Sequence, residues 1–67
     1  MMSKLRKVRE RNGLTKTELA AASGISVRTV DRAECGVSIT IVTWNKILNG
    51  LNSRASGHKY SLREIKD

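Results

Sequence analysis

Apolar residues recur at helical spacing from Leu5 to Leu51, and polar or glycine breaks divide that stretch into four pieces. Leu5 and Val8, three apart, predict a first helix over roughly 3–11. Asn12-Gly13 ends it, because both residues tolerate the left-handed conformation of a helix C-terminus. Thr15-Lys16-Thr17-Glu18 has the form of a capping box, in which hydroxyl and carboxylate each accept from the other residue's backbone N–H. Leu14 is placed to staple onto Leu19, so a second helix is expected from Lys16 to Ser23, stopped at Gly24. Ser26 caps a third, from Val27 to about Cys35, stopped at Gly36. Thr40 caps a fourth, from Ile41 to about Asn49, with Ile41, Trp44, Ile47, Leu48 and Leu51 on its inner side and Gly50 weakening its last turn. Residues 52–59 hold almost nothing apolar and read as a loop. Ser61-Leu62-Arg63-Glu64 repeats the capping-box pattern, and Leu62 and Ile65 face one way. A short fifth helix is therefore expected, packed back onto its own domain or set against a second copy.

These elements predict an all-α fold, a compact bundle of about five short helices. Sixty-seven residues make one domain. Phe is absent and the only aromatics are Trp44 and Tyr60, so the core must be aliphatic, with Trp44 in it. A single cysteine excludes an internal disulfide, and Cys35 with His58 is too few ligands for a zinc site. No cofactor is expected. No apolar run nears the roughly 20 residues of a membrane span, and no signal-peptide pattern precedes Lys4; an unprocessed, cytoplasmic chain is the expectation.

Charge changes the picture. Thirteen Lys and Arg against six Asp and Glu leave +7, which points to polyanionic partners, nucleic acid before membrane. Helices two and three are separated only by Gly24-Ile25-Ser26, and so short a joint forces the sharp crossing of a helix-turn-helix. Leu19, Ala20, Ile25, Val30 and Ala33 supply its inner contacts. At about 100° per residue, Val30 and Ala33 set the inward direction of helix three, and Arg28 and Arg32 fall nearly opposite, flanked by Asp31. Two guanidinium forks four residues apart on an outward helix face suit the acceptor pair on a guanine edge in the DNA major groove. The plain alternative is a solvated face.

Leu14-Thr-Lys-Thr-Glu-Leu-Ala20, Gly24-Ile-Ser26, Thr29-Val30 and Glu34-Cys35-Gly36 together resemble the phage repressor and Cro-type helix-turn-helix family, over about Leu5 to Leu51. The resemblance implies a five-helix fold, sequence-specific binding to double-stranded DNA, a two-fold dimer on a two-fold symmetric operator, and transcriptional regulation, with residues 1–52 as the DNA-binding domain and 53–67 as a polar loop and short C-terminal helix of the same domain. It makes helix three the recognition helix, with Val27, Arg28 and Arg32 at base-contacting positions and Thr29 near the DNA backbone. Lys16 stands where the family usually has glutamine and is expected on a phosphate instead. Val27 can touch a thymine methyl but cannot hydrogen bond, which shifts specificity to the arginines. Arg9 and Glu34 match a pair that ties helix one to the end of helix three and are expected to form a structural ion pair. Ser38 and Thr40 stand in the stretch the family uses for phosphate contact, and Lys4, Lys7 and Arg11 are expected in solvent or near phosphates.

Cys35 reads as an inert thiol and His58 as a loop residue without a ligand or acid–base role. No nucleophile is placed beside a base and no glycine-rich phosphate loop is present, so catalysis is not expected. The alternative from another class is an antitoxin-like or adaptor module that binds a protein through the same fold.

Overall fold

Each helix starts after a serine or threonine. In the computed structural model, which describes residues 3–66, the Ser3, Thr15, Ser26 and Thr40 hydroxyls accept from the backbone N–H three residues on, at 3.0–3.3 Å. They open α1 (Lys4–Arg11), α2 (Lys16–Ser23), α3 (Val27–Glu34) and α4 (Ile41–Arg54). At α2 the box closes, since the Thr15 N–H also donates to Glu18 Oε1 at 2.9 Å. Ser61 opens the single turn α5 (Leu62–Ile65), and its N–H donates to the Glu64 carboxylate at 3.4 Å. The described residues are all-helical, without a strand. Met1, Met2 and Asp67, the outer ends of the expected segments 1–52 and 53–67, lie outside the described residues.

One aliphatic core joins all five helices. Leu5 and Val8 come from α1, Leu19 and Ala20 from α2, Val30 and Ala33 from α3, Trp44, Ile47 and Leu51 from α4, and Ile65 from α5. Leu14 and Tyr60 enter it from the connections, and Ile25, Ile39, Leu48, Ala55 and Leu62 pack half-buried around it. α2 lies between α3 and α4, while α5 packs on α1 and α4.

Two expectations about α4 need correction. The helix does not stop near Asn49: it continues through Gly50 to Arg54, and the loop begins at Ala55. The propensity cost of the glycine is offset by packing, because Gly50 is buried against α2 and Leu51 is fully buried just beyond it. Nor is Ile41 on the inner side. It occupies the first turn, beyond the reach of the core, and is 52% exposed; the inner row is Trp44, Ile47 and Leu51, with Gly50 beside it.

The C-terminal segment folds back as part of the same core. Asn52 holds the Tyr60 backbone at both ends, accepting its N–H at 2.7 Å and donating to its carbonyl at 3.0 Å. Asn12 donates to the Tyr60 hydroxyl at 3.1 Å. These bonds carry the polar loop over α1 and α4 and seat Ile65 with no exposed surface.

Candidate nucleic-acid interface

The crossing of α2 and α3 decides what α3 can show to solvent. Gly24 takes φ +70° and ψ 32°, the left-handed conformation that costs a side chain energy, and turns the chain within three residues. Ser26 then caps α3, and its hydroxyl also bonds that of Thr29 at 2.9 Å. With Val30 and Ala33 buried, Arg28, Asp31 and Arg32 are exposed on the other side, and Val27 stands 41% exposed at the helix start.

The charges on this face are arranged unequally. The Lys16 ammonium at the start of α2 reaches across and donates to the Asp31 carboxylate. That hydrogen bond, with the attraction of opposite charges, raises the lysine above its ordinary pKa and lowers the aspartate below its own. Asp31 is thereby neutralised in place. Neither Arg28 nor Arg32 makes an ion pair or side-chain hydrogen bond among the described residues. The face therefore presents two uncommitted guanidinium forks beside a masked carboxylate.

α3 is held in this attitude from behind. Arg9 of α1 donates through Nε to Glu34 Oε2 at 2.6 Å and through Nη2 to Oε1 at 3.2 Å, while its Nη1 donates to the Leu14 carbonyl at 2.9 Å. Both side chains are nearly closed to solvent, at 8% and 4% exposure. The hydrogen bond to Glu34 raises the guanidinium pKa further, against the opposing effect of burial. A bidentate pair of this kind fixes the angle between two helices as well as their distance.

The remaining sequence-derived candidates lie where α3 meets α4. Ser38 is exposed in the connection, and the Thr40 hydroxyl caps α4 and bonds the Thr43 hydroxyl at 3.0 Å. Around them the sequence reading missed an apolar surface: Val37, Ile41 and Val42 are 50%, 52% and 61% exposed. It also missed the pairing of Lys16 with Asp31, whose separation of fifteen residues carries no local signal. Among the described residues no three His, Cys, Asp or Glu side chains gather as a metal site needs. No helix among them is long and apolar enough to cross a membrane. Chemically, the arrangement is a rigidly supported helix with cationic, multi-donor tips, suited to phosphates and to acceptor-rich base edges.

A family model described as helix-turn-helix matches residues 5–56 of the chain. No curated protein and no solved structure matches it significantly.

Proposed function

The chain belongs to the phage repressor/Cro-type helix-turn-helix family of DNA-binding regulators, and we propose that it represses transcription by inserting α3 into the major groove of a specific operator. The observation that carries this reading is the outward pair Arg28 and Arg32, exposed and uncommitted on a helix that Arg9 and Glu34 brace from behind. Arg28 and Arg32 read base edges as bidentate donors, and Val27 packs on a thymine methyl. Thr29, Ser38 and Thr40 set the register through phosphates. Lys16 contributes by exchange: a phosphate oxygen competes with Asp31 for its ammonium, so contact with DNA trades one anion for another on the same nitrogen. One such helix reads only a few base pairs, so the working unit is a homodimer in the cytoplasm on a two-fold operator with half-sites about one helical turn apart.

Selection of preferred sites from a random duplex pool tests the reading directly. A palindromic consensus is expected, with affinity that falls steeply as salt is raised. Arg28→Ala is expected to cost about 1–3 kcal/mol on the selected site and to relax preference at one position. Lys16→Ala is expected to weaken all sequences alike and flatten the salt dependence. Arginine variants that bind the selected duplex as the parent does would remove the basis of this reading.

A further inference from the structure

A second cationic surface lies on the other side of α1. Along that helix Lys4, Lys7 and Arg11 fall within about 60° of one another, and Arg9, which reaches α3, points in nearly the opposite direction. The stripe therefore faces away from α3. It forms one wall of a cleft of about 880 Å³, and the C-terminal segment forms the other, with Arg63 of α5 and the His58–Tyr60 pair. The side chains of Lys7, Arg11 and Arg63 make no hydrogen bond or ion pair among the described residues. Lys4 donates to the Arg63 carbonyl at 3.4 Å, which links the two walls. Glu64, the one carboxylate among the described residues of the walls, is already engaged by His58 Nε2 and the Ser61 N–H, each at 3.4 Å. Tyr60 is fixed by Asn12 and Asn52, and the exposed His58 ring lies against it with centroids 4.1 Å apart.

We propose that this cleft binds an oligophosphate, either a nucleoside di- or triphosphate or a free polyphosphate, at a site separate from α3. Its volume lies within the roughly 300–1,000 Å³ of small-molecule sites. Cations converging in a concavity focus their potential on a compact, multiply charged ligand, and the guanidinium forks of Arg11 and Arg63 match phosphate oxygens. The outer face of His58 offers a flat platform on which a base can lie. A duplex held on α3 is on the wrong side of α1 to use these groups.

The test is amide-shift mapping of the isotopically labelled full chain at about 0.15 M salt, where surface attraction is well screened. Inorganic triphosphate, ATP and a short duplex are titrated separately. Saturable shifts at Lys7, Arg11, Tyr60 and Arg63 are expected with at least one of the two phosphate probes. The double variant Lys7→Gln/Arg11→Gln is expected to weaken that binding about tenfold or more, roughly the loss of one good charged contact. Its thermal midpoint should stay close to the parent's, and its duplex affinity should fall far less than its affinity for the phosphate probe. Tighter binding of ATP assigns a nucleotide, and equal binding assigns free polyphosphate. The proposal is overturned if neither phosphate probe shifts the cleft, if shifts are confined to α3, if the duplex alone moves the cleft residues, or if the double variant binds as the parent does.

Discussion

Glu34 is the acceptor on which the attitude of α3 depends. Its two oxygens take both donors of the Arg9 fork, in a place nearly closed to water. Removing Glu34 leaves the Arg9 guanidinium buried with only the half-exposed Glu10 carboxylate, 3.8 Å away, as counter-charge, which costs more than the pair itself contributes. Glu34→Gln is therefore expected to lower the unfolding free energy by about 3 kcal/mol. The paired change Arg9→Met/Glu34→Leu should lose less than either single change, as read from urea denaturation. From sequence this pair is visible only through family resemblance, because twenty-five residues separate its members and nothing in their neighbourhoods links them. Lys16 and Asp31 show the opposite case. Both were legible as charges near the interface, but their mutual bond is a product of the crossing angle of α2 and α3, which residue spacing does not contain.

At the scale of elements, α2 and α4 approach until only a glycine fits. A β-carbon at position 50 would lie 2.2 Å from Ser23 Oγ and 2.7 Å from the Ser23 Cα and N, and the backbone atoms cannot swing aside. Gly50→Ala is expected to destabilise the domain by about 1–3 kcal/mol even after the helix-propensity gain of about 1 kcal/mol, because the two helices must separate. The companion change points the other way. Ser23 Oγ is buried without a hydrogen-bond partner among the described residues, so Ser23→Ala is expected to raise stability by about 1 kcal/mol. Thermal denaturation of the two variants separates these signs. Helix starts were legible in the sequence because a hydroxyl cap is a local device, and Thr15, Ser26 and Thr40 each announce one. The end of α4 was not, because Gly50 reads locally as a breaker and only its tertiary neighbour reveals it as a contact point. The anchoring of Tyr60 by Asn12 and Asn52 was hidden for the same reason.

For the whole molecule, acid is the sharpest probe of how its charges are balanced. Asp31 is held below its ordinary value of 3.8 chiefly by the hydrogen bond from Lys16. Glu18 is held below its ordinary 4.5, first by the Thr15 backbone N–H and then by the Thr15 side chain. Both carboxyls bind protons less readily folded than unfolded. Their contribution is therefore fully present above about pH 4.5, and it is lost as pH falls through the lowered folded values. Protonating the six acids also lifts the net charge above +7, and self-repulsion adds to the loss. The parent's thermal midpoint is expected to drop below about pH 4. Asp31→Asn should start lower at pH 6 and fall less steeply; an acid limb identical in slope to the parent's would contradict the Lys16–Asp31 pairing.

Cys35, the only thiol in the sequence, caps the C-terminal end of α3 and is exposed. Nature has thus left a single attachment point for a dye or nitroxide at the tail of the helix proposed to enter the operator, without any mutagenesis. One label per chain makes the subunit count readable from the number of labels on each particle, and in a two-fold assembly the two labels become a molecular ruler for how far apart the paired helices stand.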